Sequence, residues 1–260
     1  MKLIKQSFEI ITPINGEEIL KQIELAARTC YKSEGRIEYS KLLPLSEKSE
    51  IVNHVSTQLV EINMSDINFQ YSISARKLIP KLISRKHEAM LEFGGNITVK
   101  FITDRGVSHE LVRHRIASFA QESTRYCNYG NEKHITFIIP SWLYLSEDTY
   151  IWWENDWVND KLDKIVKHDN KHASDWFLHS LAGSETTYQT LISLGWSPQQ
   201  ARSVLPNSLK TEINISANIR EWRHIFKLRC GAAAHPQMID LMNPLKERFQ
   251  SLIPILFDDL

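Results

Sequence analysis

The sequence predicts a soluble globular chain that mixes helices and strands in one domain, and three observations lead there. Two segments carry an alternating apolar pattern that ends in turn residues and hands over to a helical stripe. The first third of the chain carries apolar residues at helical spacing. No Pro-rich linker, internal repeat or low-complexity tract divides the 260 residues, along which nine Gly and nine Pro are spread. A chain of this length buries a core without disulfide or metal staples. The expected organisation is a single domain over residues 1–260 with a Trp-rich helical insertion around 141–183.

The elements follow in order. Ile19, Leu20, Ile23, Ala26 and Ala27 recur at helical spacing over residues 16–28, and the region from Ser46 to about Arg85 reads as mostly helical too. Ile97, Val99 and Phe101 then alternate with polar neighbours in a strand that ends at Asp104-Arg105-Gly106. A helix is expected from Ser108, whose hydroxyl can cap it, and this helix delivers Arg113-His114-Arg115 at its far end. The same grammar returns later: Ile213, Ile215 and Ala217 alternate, Asn218 can cap, and Trp222, Ile225 and Phe226 form a stripe leading to Arg229.

Between these two modules, Ser197-Pro198-Gln199-Gln200 is a capping box with Pro at the first helical position, and Pro206 stops the helix soon after Arg202. Residues 141–183 hold Trp142, Trp152, Trp153, Trp157 and Trp176 among many charges, and read as helices outside the core or at a subunit contact. Pro236 opens the last helix, with Met238, Ile239, Met242, Leu245 and Phe249 facing inward.

Composition excludes several classes. Lys plus Arg and Asp plus Glu number 31 each, so the chain lacks the basic field that non-specific nucleic-acid binding draws on. An anionic partner must be met locally. Hydrophobic residues at 42% and charged residues at 24% leave disorder and disulfide scaffolds aside. Lys5, Gln6 and Glu9 break the first apolar run, and no stretch approaches the ~20 apolar residues of a membrane span. Cys30, Cys127 and Cys230 are odd in number and without a C-x-x-C pair, which fits a reducing cytoplasm.

The densest chemical signal runs from Arg113 to Tyr126: Arg113-His114-Arg115-Ile116-Ala117-Ser118-Phe119-Ala120-Gln121-Glu122-Ser123-Thr124-Arg125-Tyr126. Its guanidiniums, imidazole, hydroxyls and amide are donors suited to phosphate oxygens and planar heterocycles. Arg202, Asn218, Arg220 and Arg229 add donors downstream. Many donors without net positive charge point to a small anionic ligand. Neither G-x-x-x-x-G-K-[S/T] nor G-x-G-x-x-G occurs, so side chains would have to hold any nucleotide.

Arg113-His114-Arg115, seven residues, then Ser123 resembles the R-H-R-x7-S signature of the flavin-dependent thymidylate synthases, and Ser123-x-Arg125-Tyr126 continues it. The resemblance extends to Ala26-Ala27-Arg28-Thr29-Cys30-Tyr31, Lys86-His87-Glu88, Ala201-Arg202-x-Val204-Leu205-Pro206, Asn218-Ile219-Arg220 and Leu228-Arg229, then Ala233-Ala234-His235-Pro236-Gln237. It implies an α+β fold with a mixed sheet packed by helices, and a homotetramer with shared active sites. The implied reaction is reductive methylation of dUMP to dTMP with FAD as cofactor and with 5,10-methylenetetrahydrofolate and NADPH as co-substrates. Nucleic-acid and membrane partners are not implied.

By position, the resemblance assigns Arg113, His114 and Arg115 to FAD, with His87, Ala89, Gln121, Asn218, Ile219, Arg220 and His224. It assigns Glu110, Leu111, Val112 and Arg113, then Gln121, Glu122, Ser123, Thr124 and Arg125, with Arg202 and Arg229, to dUMP. Arg229 is the expected catalytic group, a guanidinium that favours loss of the uracil N3 proton by stabilising the charge that develops. The chain departs from the family at Ala120 and Gln121, where Asn and Glu are frequent, and at Ala89-Met90-Leu91-Glu92-Phe93, where T-P-F-E-H is. Gln121 can donate where a carboxylate only accepts.

Two other classes compete. His168, His172, Asp175 and His179 would share one helix face and could bind metal for a hydrolase, although the segment lacks the Glu of H-E-x-x-H. An RNA-binding module could use Arg113 to Arg125. Neither accounts for the distant Arg202 and Arg229 motifs. Ser123 lacks a nucleophile elbow, and Cys127 reads as a packing residue.

Overall fold

The computed structural model describes residues 1–39, 72–153, 156–161, 164–166 and 172–260, with Trp153 and residues 164–166 described by their backbone. Strands β1 (Lys2–Ile4) and β2 (Ser7–Ile10) precede helix α1 (Gly16–Cys30). Helix α2 (Ile73–Ser84) leads through a 3-10 segment (Glu88–Gly94) to strand β3 (Asn96–Asp104). Helix α3 (Arg105–Leu111) and strand β4 (Ala117–Gln121) come next, then β5 (Thr136–Ile138), β6 (Asp148–Trp153), β7 (Asp156–Asn159) and β8 (Lys164–Val166). Helices α4 (Ala173–Ser193) and α5 (Pro198–Ala201) lead to strand β9 (Lys210–Asn218) and to helices α6 (Ile219–Arg229), α7 (Pro236–Leu252) and α8 (Pro254–Phe257). This is the mixed α+β class.

The chain forms two compact units. The first comprises Met1–Glu9, Val99–Ile215 and His235–Leu241, the second Ile10–Thr98, Ser216–Ala234 and Met242–Leu260. One five-stranded sheet has the order β5-β1-β6-β7-β8, with β1 parallel to β5 and antiparallel to β6. A four-stranded sheet has the order β2-β3-β9-β4. The alternation read along β3 and β9 is real burial: Val99 and Phe101, like Ile213 and Ile215, are closed to solvent.

In the first unit Leu3, Phe137, Trp157, Leu178, Leu181 and Tyr188 belong to one buried cluster. Residues 141–183 therefore need correction. The expected helices are absent from the described part before Ala173, where β6, β7 and β8 form an antiparallel meander with Trp152 opposite Trp157. The two indoles meet edge to face at 4.9 Å, and Trp157 is core rather than periphery. Thr149, Tyr150, Ile151 and Trp152 are β-branched or aromatic, side chains that fit a pleated, half-buried surface better than a helix.

A second correction concerns the start of α3. The helix begins three residues before Ser108, because Asp104 takes the capping position and its Oδ1 accepts from the Val107 N–H at 2.7 Å. A carboxylate at the strand end reaches the first free N–H groups sooner than the downstream hydroxyl does.

In the second unit the starts of α1, α2 and α6 each have their own capping oxygen. Asn15 accepts from the Glu18 N–H at 3.2 Å, Ser72 from Ala75 at 3.1 Å and Asn218 from Glu221 at 2.9 Å. Leu20, Ile23 and Ala27 of α1 are buried, as are Ile79 and Leu82 of α2. The helix expected from Ser46 is described from Ile73 onward, and residues 46–71 lie outside the described residues. Trp222, Phe226, Phe249 and Phe257 contact one another with centroids 5.1 to 5.9 Å apart, the spacing at which aromatic quadrupoles attract. The buried Arg223 donates to both Asp259 carboxylate oxygens at 2.6 Å and to the Leu256 carbonyl, so α6 is tied to α8.

Gly94 sets how closely the 3-10 segment approaches α1 and α6. A Cβ there would lie 2.7 Å from Ile219 Cγ1 and 3.0 Å from Ile23 Cδ1. Gly94→Ala is therefore expected to overpack this contact and lower stability by about 1–3 kcal/mol. A urea midpoint lower than that of the parent at unchanged m value checks it.

Candidate active site

The residues singled out in the sequence divide between the two units. In the first, Glu110 and Leu111 end α3, Val112 caps it, and Arg113-His114-Arg115 follows directly. Arg113 and Arg115 are exposed, whereas His114 is buried. Leu111 is wholly buried, so any contact it makes with a ligand falls to its backbone.

Gln121 ends β4, and its amide donates to Ser108 Oγ at 2.9 Å and to Thr211 Oγ1 at 3.2 Å. Ser108 in turn donates to the Arg105 carbonyl at 3.0 Å. Arg105 donates from Nη1 to the Glu122 carbonyl at 3.0 Å and to Thr211 Oγ1 at 3.1 Å. Start of α3, end of β4 and β9 are thus cross-linked by side chains. The turn that follows is closed by its own backbone, with the Ser123 carbonyl accepting from Tyr126 at 3.1 Å and Cys127 at 2.9 Å.

Onto this turn comes a guanidinium from a remote element. Arg202, just beyond α5, donates from Nη1 to Thr124 Oγ1 at 3.2 Å. The expected capping box holds α5 in place: the Ser197 N–H donates to Gln200 Oε1 at 2.9 Å, with Pro198 at the first position. The Arg125 guanidinium stands 5.5 Å from the centroid of the exposed Tyr126 ring. Two hydroxyls and two guanidiniums thus share one turn, the chemistry by which side chains seat a phosphate.

Glu122 looks the other way. Tyr129 donates to its Oε1 at 2.6 Å and Lys210 to its Oε2 at 3.1 Å, while Lys210 also meets Glu212 at 2.6 Å and Glu212 meets Lys100 at 2.5 Å. Burial and the bond to Glu122 push the Tyr129 phenol far above its ordinary range. Burial alone would lower the Lys210 pKa, but its bonds to Glu212 and Glu122 outweigh that and raise it. Lys100 and Lys210 hold Glu212 below its ordinary carboxylate value. Lys100, Glu122, Lys210 and Glu212 line a groove of about 490 Å³ with Ala120, Gln121 and Asn214. Its two lysines are matched by two carboxylates, so it is not an anion site.

Sequence reasoning passed over Tyr129, Lys210, Arg105 and Thr211. One signal was available: Lys210 and Glu212 stand two apart on a strand and so share a face.

In the second unit His87 precedes the 3-10 segment and is exposed, as is Ala89 within it. Asn218 caps α6, Arg220 donates to Glu92 Oε1 at 2.6 Å, His224 is exposed, and Arg229 is the last residue of the helix. Ile219 is fully buried, so only its backbone can face a ligand.

Among the described residues, His172, Asp175 and His179 of the histidine face considered for a metal hydrolase form no metal-ligand cluster. His172 caps α4 from outside, residues 164–166 are strand, and His168 lies outside the described residues. The His179 ring packs against Trp152 and Trp157 at 4.6 and 5.0 Å. Cys30 is exposed, Cys127 and Cys230 are half-buried, and all three are free thiols.

Fold and site together define an α+β protein that offers anion donors from side chains rather than from a Gly-rich loop. The family model described as thymidylate synthase complementing protein matches residues 14–255, and the chain belongs to that family. A flavin-dependent thymidylate synthase of Pyrococcus furiosus is 31% identical over 157 residues, covering 59% of this chain and 53% of that protein. One of Geobacter sulfurreducens is 26% identical over 238 residues, covering 91% of this chain and 80% of its own. The chain thus spans about half the length of the Pyrococcus relative that it matches. Among solved structures, a UMP/dUMP methylase PolB from Streptomyces cacaoi bound with 5-Br dUMP superposes with a TM-score of 0.63, over 99% of this chain and 96% of that one. At 19% identity this shows a shared fold.

Two predictions follow from the Glu122 and Glu212 contacts. Tyr129→Phe removes a bond to a carboxylate and is expected to cost about 1.5–3 kcal/mol, read as a lower urea midpoint. Because the folded pKa of Glu212 lies below its ordinary value of 4.5, its ionised form stabilises the fold above that value, and the contribution is lost as pH falls through the folded pKa. Stability measured from pH 6 down to 3 should fall less steeply in Glu212→Gln than in the parent.

Proposed function

We propose that this chain methylates dUMP reductively to dTMP, with 5,10-methylenetetrahydrofolate as carbon donor and NADPH as reductant. The observation that carries the reading is the contact of Arg202 with Thr124 at 3.2 Å, which joins two family motifs 78 residues apart in one donor cluster. Family membership over residues 14–255 supports treating the whole chain as one family domain.

The dUMP phosphate would be met by the Ser123 and Thr124 hydroxyls and by the Arg125 and Arg202 guanidiniums. Arg229 would face the pyrimidine edge, where its fixed charge favours loss of the N3 proton and makes carbon 5 electron-rich. The donor set fits a flavin dinucleotide in kind. Exposed Arg113 and Arg115 match its diphosphate; His114, Gln121, His87, Ala89, Asn218, Arg220 and His224 would complete its site, with Ile219 acting through its backbone. FAD, when bound, supplies the hydride step, and the protein contributes placement, charge and exclusion of water. Glu110 and Val112 would line the dUMP side, Leu111 by its backbone, whereas the Glu122 carboxylate is taken by Tyr129 and Lys210. In the homotetramer we propose, active sites are shared, so one site draws its residues from more than one copy. No described helix is long and apolar enough to cross a membrane, and a cytoplasmic enzyme is the proposed setting.

Oxidised flavin bands in the purified protein should bleach on anaerobic addition of NADPH, and dTMP should form once dUMP and methylenetetrahydrofolate are present. Arg202→Ala is expected to raise the KM for dUMP about ten-fold or more, and Arg229→Ala to lower kcat about a hundred-fold. Normal turnover in both folded variants would overturn the assignment.

A further inference from the structure

The second unit holds a cleft of about 550 Å³ between the C-terminal ends of α1 and α2. Five cations line it, Arg28, Lys32, Arg36, Lys81 and Arg85, and no described acidic side chain does. Arg28 shares charge with Glu24 at 3.2 Å, whereas Lys32, Arg36, Lys81 and Arg85 have no ion-pair partner among the described residues. In a chain whose formal charge is zero, so many cations around one concavity, four of them without an ion-pair partner among the described residues, call for an explanation.

Helix dipoles supply part of one. Cations in the last turn of a helix are favoured by the carbonyl ends, and Arg28 and Lys81 stand there. The effect fades within a turn, and Lys32 and Arg36 lie beyond it. Moreover, the terminal carbonyls are already satisfied. Ser33 donates to the Arg28 carbonyl and His87 to the Leu82 carbonyl, at 3.1 and 2.8 Å, closing both helices in the glycine-type motif.

The residue that takes the left-handed conformation in that motif is normally glycine, and at the end of α4 it is Gly195, with φ of 92°. At the ends of α1 and α2 it is Lys32 and Lys86, with φ of 47° and 58°. A lysine side chain is strained where glycine is not. At Lys32 the chain accepts that strain and gains a charge on the cleft wall.

We propose that this cleft binds the phosphate-bearing half of a nucleotide, with the forked guanidiniums and ammonium groups on the phosphates and the exposed Tyr31 ring against the base. In the reaction proposed above, on which this assignment of a source rests, the ligand of that chemistry is the reductant NADPH, whose adenosine carries a phosphomonoester next to a diphosphate. A second source of clustered anions is the carboxylate chain of a polyglutamylated folate.

The test is titration of the full-length protein with 2′,5′-ADP, 5′-ADP, adenosine and γ-linked triglutamate, in parallel with Arg36→Glu, Lys81→Glu and Lys32→Gly. We expect saturable 2′,5′-ADP binding that weakens with salt, exceeds that of adenosine, and is about ten-fold or more weaker in each variant. Lys32→Gly is the sharpest arm: it should keep or raise the thermal midpoint, since glycine suits that φ, while losing affinity. Absence of saturable 2′,5′-ADP binding, or affinity unchanged in all three variants, would overturn the site; preference for triglutamate over 2′,5′-ADP would overturn the nucleotide assignment. Should 2′,5′-ADP bind as expected while no dTMP forms, the site would stand and the proposed reaction would fall.

Discussion

The Asp104 carboxylate is the joint on which the first unit turns. It is nearly closed to solvent, and both oxygens are committed: Oδ1 caps α3 through the Val107 N–H, and Oδ2 accepts from Gln237 Nε2 at 2.9 Å. Gln237 continues the chain of bonds by accepting at its carbonyl from Gln6 Nε2 at 2.7 Å. A buried carboxylate is tolerable only when its lone pairs are filled in this way. Its two bonds fix the angle at which β3 becomes α3, and hence where the arginines after α3 emerge. The Arg105 N–H, donating to the Asn207 carbonyl at 2.8 Å, ties the same corner to the segment that enters β9.

Much of this architecture is legible in the sequence because strand, cap and helix are each local. Alternation of Ile97, Val99 and Phe101, and of Ile213, Ile215 and Ala217, marks one face of a strand whatever the rest of the chain does. Asn218 and the Ser197 box were readable for the same reason, since a cap acts within three residues. The cap of α3 was misplaced because Asp104 and Ser108 are both competent. Which of them serves depends on where the strand ends, a matter of pairing between segments far apart in sequence.

Less legible were segments whose conformation is settled by partners. In Ala117–Gln121 the apolar content is slight, and the strand exists through pairing with β9. Across β6, β7 and β8 tryptophans set among many charges suggested outer helices, yet polar residues carry no burial free energy and cannot impose a period. The aromatic and β-branched residues between them do, and Trp157 is buried on the strength of that pairing. Similarly, the neutral total charge concealed a sorting of ions. Around Lys210 cations and carboxylates are matched one to one, whereas among the described residues at the ends of α1 and α2 they are not.

The departure from the family at Gln121 has a physical account in its neighbours. Ser108 has one hydroxyl proton, and the Arg105 carbonyl takes it at 3.0 Å. Toward residue 121 that hydroxyl can then only accept, and Thr211 Oγ1 already receives a bond from Arg105 as well. An amide donates to both oxygens. A carboxylate would need the Ser108 proton for itself, releasing the Arg105 carbonyl at the start of α3, or would draw the Arg105 guanidinium away from the Glu122 carbonyl. Either change would loosen the turn of Ser123 to Arg125 from its supports. Glutamine at 121 is therefore part of how this chain holds its donor turn.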